Sequence, residues 1–229
     1  MCFSTEVSAG VAVVLLPVGG YCLAAAAVKD RAYLPLAALP LLFGVQQVFE
    51  GAVWFAVGRH DPVLARAASG AFLFFALAVW PVGVPLAAAA LERPGRRRRA
   101  FVGLAAAGLA VAAAYFVPVA AGGWEGPRVV GHSLRYDLPD PGPVWPAAYL
   151  AAVCVPLAAS RVPAVRPLGW LALAAAGVSY VAFREAFASV WCFLAAALSG
   201  YLAYVLCRVP DPRAWNLGTE SRPPALQPT

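Results

Sequence analysis

The chain has 229 residues, of which 62% are hydrophobic and only 12% are charged. A soluble domain is about half apolar and about a quarter charged, so this composition indicates a membrane protein and excludes an ordinary soluble domain. The formal net charge is +6, but the basic residues stand in short gaps between apolar runs. They therefore indicate membrane topology, and a nucleic-acid partner is not expected.

Seven apolar runs of membrane length follow one another along the chain. We therefore predict an all-α bundle of seven transmembrane helices over residues 1–207, followed by a disordered cytoplasmic tail over 208–229. The longest connection is an outer loop over 122–143. The predicted spans are 8–28, 33–57, 64–91, 100–121, 144–160, 166–184 and 187–207.

Lysine and arginine are distributed unevenly between the two ends of these runs. Twelve of the seventeen basic residues fall on one side, including the four of Arg96–Arg99, and five fall on the other. The positive-inside rule then places the N-terminus outside and the C-terminus in the cytoplasm. The lipid bilayer is thus the first expected partner.

The second run carries two amides and a carboxylate within an otherwise apolar sequence. At 100° per residue, Gln46, Gln47, Glu50 and Trp54 share one face of a helix. A carboxylate at membrane depth is costly and usually faces a protein interior or a wet cavity. Two interpretations stay open. Glu50 could be structural, paired with Arg184 or bonded by Gln46, or it could hold a ligand, a proton or a metal ion.

Other chemistry-bearing residues gather in the predicted outer half of the bundle, which favours an outward-open polar pocket. Arg184 and Glu185 lie at the outer turn before the seventh run, and Trp191 lies in its first turns. The residues predicted to bind a ligand are Gln46, Gln47, Glu50, Trp54, His132, Arg184, Glu185 and Trp191.

The outer loop contains an alternating pattern from Arg128 to Tyr136 that predicts a small hairpin capping the bundle. His132 could be a solvated loop residue, or the loop could place it above Glu50. In the second case Glu50, His132 and Cys192 would offer ligands to zinc or copper, although they do not stand at a metal-ligand spacing.

Cys192 lies on a face of small residues that predicts close helix packing. As alternatives, it could act as a nucleophile, or it could form a disulfide with Cys2, which is also on the predicted outer side.

Four motifs of the chain are distinctive as a set. They are Met1-Cys2-Phe3-Ser4, Leu39 to Trp54 with Gln46-Gln47-x-x-Glu50-Gly51-x-x-Trp54, His132-Ser133-Leu134-x-Tyr136, and Ser189-Val190-Trp191-Cys192-Phe193. Together they resemble an uncharacterised family of bacterial integral-membrane proteins. The resemblance covers residues 1 to about 207 and implies a multi-pass protein of the bacterial cytoplasmic membrane. It implies no activity and transfers no catalytic residue.

The leading functional hypothesis is a binding module, with an outer pocket built on Glu50, Gln46 and Gln47 under the His132 loop. It would hold a small-molecule ligand or a metal ion. One alternative is a membrane-embedded enzyme that uses Glu50 with His132 or Cys192. The other is a small-solute or proton-coupled transporter, against which the absence of an internal sequence repeat counts.

Overall fold

The computed structural model describes residues 4–138 and 142–209, and most of these residues are helical. Five helical stretches are long and apolar enough to cross a membrane. Two further helices stand where the fifth and sixth spans were predicted, and they have 15 and 17 residues. The five long stretches are Thr5–Lys29, Arg31–Gly58, Pro62–Ala90, Arg96–Ala120 and Arg184–Arg208. The predicted tail lies outside the described residues from residue 210 onward.

The described ranges contain ten α-helices and a two-stranded sheet. Short 3-10 turns precede α2 and α9, and a π-helical stretch joins α4 to α5. In chain order the elements are α1 (Thr5–Lys29), α2 (Leu34–Ala37), α3 (Leu39–Gly58), α4 (Pro62–Phe74), α5 (Trp80–Ala90), α6 (Arg96–Ala120), β1 (Pro127–Val130), β2 (Ser133–Tyr136), α7 (Val144–Ala158), α8 (Arg166–Ala182), α9 (Phe187–Ser199) and α10 (Tyr201–Arg208).

Glycine allows α1 to lie close along α3. A side chain at Gly19 would overlap the backbone of Leu41, and a Cβ at Gly44 would lie 3.1 Å from the Leu16 side chain. Small residues permit such close helix approach in membrane bundles, where packing replaces the hydrophobic effect as the main attraction. The same approach brings Ser8 of α1 beside Gly51, the residue after Glu50.

The third long stretch, Pro62–Ala90, changes from α-helix to π-helix near its middle. Residues Phe75–Val79 form π-helical turns between α4 and α5. Pro81 follows at the start of α5 and has no N–H to donate to the carbonyl four residues earlier, so the regular hydrogen-bond ladder cannot continue there. The indole of Trp80, immediately before this proline, is buried and stacks on Phe43 with 3.9 Å between ring centroids.

The predicted hairpin is present. Strands β1 and β2 pair antiparallel with Val130 opposite Ser133, which leaves Gly131 and His132 as the two-residue turn. Gly131 has a φ of +60°, a left-handed conformation that suits glycine. Leu134 of β2 is fully buried in a cluster with residues of α3 and α4, so the hairpin covers one end of the bundle.

Polar contacts join different helices at the opposite end of the bundle. The Lys29 amine at the end of α1 donates a 2.9 Å hydrogen bond to the carbonyl of Leu206 in α10. Glu92, between α5 and α6, accepts a 2.7 Å hydrogen bond from the Arg161 backbone N–H. It also lies 3.9 Å from the Arg97 guanidinium. These contacts close the end of the bundle that holds most of the basic residues.

Candidate functional site

Glu50 of α3 is the centre of a buried polar cluster. It has no exposed surface, and the same is true of Gln46 and Gln47. Gln47 Nε2 donates a 2.9 Å hydrogen bond to Glu50 Oε2, and the hydroxyl of Ser189 in α9 donates to Oε1. Among the described residues, Glu50 forms no ion pair. We call Gln46, Gln47, Glu50 and Ser189 the Glu50 site.

The Gln46 side chain forms hydrogen bonds with residues other than Glu50. Its Oε1 accepts a 2.9 Å hydrogen bond from the Trp80 indole, and its Nε2 donates to the Phe72 carbonyl at 3.5 Å. The expectation that Gln46 bonds to Glu50 is therefore wrong. Both amides lie within about one helical turn of the carboxylate. The Gln46 side chain forms its hydrogen bonds with α4 and α5, and Gln47 donates to the carboxylate instead.

Several buried polar atoms of α1, α3 and α4 have no hydrogen-bond partner within the described ranges. They are the hydroxyl oxygens of Ser8 and Ser69, Gln47 Oε1 and the Trp54 indole N–H. A buried polar group without a partner costs about 1–3 kcal/mol, so such groups are rarely left without water or ligand. The α3 face that holds Glu50 can therefore bind further polar atoms.

Cys192 of α9 connects the Glu50 site to a cavity. Its thiol is buried and not in a disulfide, and it lies near the Gln46 amide, the Glu50 carboxylate and the Tyr149 hydroxyl. The same residue lines a cleft of about 770 Å³ between α7, α8 and α9. The predicted disulfide partner, Cys2, lies outside the described residues.

This cleft is mainly apolar and differs from the predicted polar pocket. Its wall includes Tyr149 of α7, Gly177 of α8, and Trp191 of α9. Gln46, Gln47 and Glu50 are not among the residues that line it. Glu50 instead bonds to Gln47 and Ser189, and Gln46 bonds to α4 and α5. The cleft therefore comes near these side chains only at Cys192.

Arg184 and Glu185 have separate surroundings. Arg184 lines the cleft, and its guanidinium lies 5.4 Å from the centre of the Tyr180 ring. Glu185 lies 3.6 Å from the Arg135 guanidinium of β2 and does not line the cleft. The predicted pairing of Arg184 with Glu50 is not observed, because Arg184 is exposed at the end of α8 and Glu50 is fully buried.

His132 is exposed at the hairpin turn. The hairpin covers the bundle through Leu134 and through Tyr136, whose ring stacks on Phe72 with 5.2 Å between centroids. The described residues contain no group of three or more histidine, cysteine, aspartate or glutamate side chains arranged to hold a metal ion. Of the predicted metal ligands Glu50, His132 and Cys192, Glu50 and Cys192 lie near each other, whereas His132 is exposed and apart from them.

Sequence reasoning missed part of the site. Ser189, which binds Glu50, and Trp80, which binds Gln46, are not among the predicted site residues. A usable signal was the presence of each polar group within an apolar run of membrane length. Of the other predicted ligand-binding residues, Trp191 is buried in the cleft wall and Trp54 is partly buried.

Comparison with known proteins gives one match. The model of a family of unknown function, DUF6629, matches residues 1–216. No curated protein matches the chain, and no solved structure matches it.

Proposed function

The chain belongs to the DUF6629 family, a family of unknown function, and we propose that it is a membrane-embedded binding protein for a small organic ligand. The observation that carries this proposal is the position of Cys192, next to both the Glu50 site and the cleft. Small-molecule sites typically measure about 300–1,000 Å³ and combine apolar walls with a few polar groups. The cleft, at about 770 Å³, falls within that range.

An organic ligand fits the local chemistry better than zinc or copper does. Those metals take three or four ligands from cysteine, histidine and carboxylate side chains. The neighbourhood of Cys192 offers one thiol and one carboxylate, and both carboxylate oxygens already accept hydrogen bonds. Amides, hydroxyls and aromatic rings form the rest of the site, and these groups recognise organic molecules.

We propose seven spans in the bacterial cytoplasmic membrane, with the N-terminus outside. This arrangement is supported by the distribution of basic residues and by the apolar composition of α7. At 1.5 Å per residue α7 and α8 are about 22 and 26 Å long, so each is shorter than a hydrocarbon core of about 30 Å. In this orientation the hairpin, Arg184 and the mouth of the cleft face outward. The ligand would then reach the cleft from the outer side or from the outer leaflet.

A thiol-dependent membrane enzyme is a second candidate, favoured by the position of Cys192 near Glu50. A nucleophilic thiol needs an adjacent base, and a carboxylate can take that role. The Cys192→Ala variant distinguishes the two candidates. If the protein only binds a ligand, the variant should still bind it, whereas an enzyme that uses the thiol should lose its activity.

The proposal is tested by filling the cleft. Gly177 lines it, and a Cβ built there meets no atom within 4 Å, so Gly177→Trp adds bulk to the cleft without overlapping its neighbours at the Cβ. Gly103 of α6 is the matched control, because its Cβ position is also open and it does not line the cleft. Each protein is purified in mild detergent and extracted with organic solvent, and the extract is analysed by mass spectrometry.

We expect one small organic molecule at close to one per chain from the wild type and from Gly103→Trp, and a loss of at least tenfold from Gly177→Trp. Equal recovery from all three proteins, or no specific molecule from any of them, would contradict the proposal. Melting temperatures of the three proteins establish that the variants are folded.

A further inference from the structure

Two polar groups in the wall of the cleft, those of Tyr149 and Trp191, bond within the protein. The Tyr149 hydroxyl donates to the Ala76 carbonyl, and the Trp191 indole donates to the Ala172 carbonyl at 3.1 Å. Both polar groups are therefore used within the protein, and their rings remain as apolar surface. Leucine, alanine and phenylalanine side chains supply much of the remaining wall. The body of a matching ligand is apolar.

Arg184 gives this apolar cleft a positive charge. Within the described ranges it forms no ion pair, whereas the neighbouring guanidinium of Arg135 lies 2.6 Å from Asp137. The Arg184 guanidinium lies 5.4 Å from the centre of the Tyr180 ring. Arg184 lies in the 3-10 turn that precedes α9, and Cys192 lies in the second turn of α9, so the wall of the cleft runs from the charge to the thiol. A ligand that lies along this length and is complementary in charge has an anionic end and an apolar body.

We infer that the cleft binds a single-chain carboxylic acid of the fatty-acid type, with its carboxylate on Arg184 and its hydrocarbon chain between α7, α8 and α9. This inference rests on the proposed function and specifies its ligand. A guanidinium forms paired hydrogen bonds with a carboxylate, which gives the contact geometric specificity. A volume of about 770 Å³ suits one chain and is small for a phospholipid with two.

The proposed orientation supports a ligand of this kind. Arg184 would lie at the outer end of its span, at the level of the lipid headgroups, where charged side chains remain hydrated. A fatty acid in the outer leaflet holds its carboxylate at the same level. It could therefore move from the bilayer into the cleft without carrying its charge through the hydrocarbon.

The test uses the full chain in nanodiscs of zwitterionic phospholipid and a dansyl-labelled undecanoic acid as the fluorescent probe. Palmitate, methyl palmitate and a two-chain phosphatidate compete with the probe in separate titrations. The variants are Arg184→Gln and, as a matched control, Arg59→Gln. Arg59 also lies over an aromatic ring, at 5.2 Å from Phe55, but does not line the cleft.

We expect palmitate to displace the probe at least tenfold more strongly than methyl palmitate does, because the ester cannot pair with the guanidinium. Arg184→Gln should weaken palmitate binding roughly tenfold and remove the difference between acid and ester. Arg59→Gln should behave as the wild type. Equal competition by acid and ester, no effect of Arg184→Gln, or stronger competition by phosphatidate would overturn this inference.

The same experiment separates this inference from the proposed function. If acid and ester compete equally and Gly177→Trp abolishes probe binding, the cleft is a binding site and only the assignment of an acidic ligand fails. If the probe binds equally to the wild type and to Gly177→Trp, the cleft is not its site and both proposals fail. If it binds to neither, the fatty-acid ligand is overturned, and the mass spectrometry of the extracts decides the proposed function.

Discussion

Ser189 donates a hydrogen bond to Glu50 across 139 positions of the chain. The contact joins α9 to α3 and, with the amide of Gln47, gives each carboxylate oxygen a donor. A carboxylate that is fully buried in a membrane bundle is stable only with such partners. The pair therefore fixes how α9 packs on α3, and it holds Cys192 beside the Glu50 site.

Removing the Ser189 hydroxyl should destabilise the bundle. We expect Ser189→Ala to lower the free energy of unfolding by about 1–3 kcal/mol, because one carboxylate oxygen loses its donor in a buried place. Ser199→Ala on the same helix is the control, since the Ser199 hydroxyl bonds only to the Ala196 carbonyl of its own helix. Unfolding in detergent titrated with sodium dodecyl sulfate measures both. Equal losses of unfolding free energy in the two variants would show that the hydrogen bond from Ser189 to Glu50 contributes no more stability than the Ser199 bond within α9.

The hydrogen bond between Trp80 and Gln46 should be measurable as a coupling. Trp80→Phe removes the indole N–H and keeps an aromatic ring to stack on Phe43, and Gln46→Leu removes the acceptor. We expect a coupling energy of about 1 kcal/mol in a double-mutant cycle, because the two groups bond directly in a buried place. Additive losses in unfolding free energy would mean that the two side chains act independently.

Two adjacent glycines of α1 should respond differently to the same substitution. Gly19→Ala should lower the free energy of unfolding by about 1–3 kcal/mol, because the new methyl group overlaps the Leu41 backbone, which cannot move aside as a side chain can. Gly20→Ala meets open space and should be neutral or slightly stabilising. The same titration in sodium dodecyl sulfate gives both values. A loss at Gly20 equal to that at Gly19 would contradict close packing of α1 on α3.

The purified protein should contain no stoichiometric zinc or copper. The reason is the geometry of the described residues, in which Glu50 and Cys192 have no third metal ligand beside them. Elemental analysis of the wild type, of Glu50→Ala and of His132→Ala provides the measurement. Close to one metal ion per chain in the wild type, lost in both variants, would instead restore the predicted metal site.

The proposed orientation can be tested with two exposed positions at opposite ends of the bundle. His132→Cys places a thiol in the hairpin turn, and Cys207 is an exposed thiol at the end of α10. In variants whose single cysteine is at position 132 or at position 207, a membrane-impermeant maleimide added to intact bacterial cells should label position 132 and leave Cys207 unlabelled until the cells are lysed. The opposite labelling pattern would reverse the orientation.

Much of the fold follows from the sequence because its physical basis is local. Apolar runs of about 20 residues between polar gaps mark helices of membrane length. The alternation from Arg128 to Tyr136 marks the hairpin. The shared face of Gln46, Gln47 and Glu50 follows from helical periodicity alone, and all three residues are buried together.

The partners on that face depend on which helices pack against it, and periodicity does not contain that information. Ser189 comes from a helix more than a hundred residues away. Trp80 meets Gln46 after π-helical turns that shift the period of its own segment. His132 is two positions before the buried Leu134, so strand alternation would place it on the same inward face. It lies instead in the turn, where alternation ends.

The Lys29 amine, described above at the end of α1, has a consequence for biogenesis. The carbonyl groups that accept its hydrogen bonds belong to Leu206 and Cys207, which are 177 and 178 positions later in the chain. Because synthesis proceeds from the N-terminus, α1 leaves the ribosome long before Leu206 and Cys207 have been synthesised. The Lys29 ammonium group can form these hydrogen bonds only after the last helix has been synthesised and inserted. A chain truncated before Leu206 would lack both acceptors.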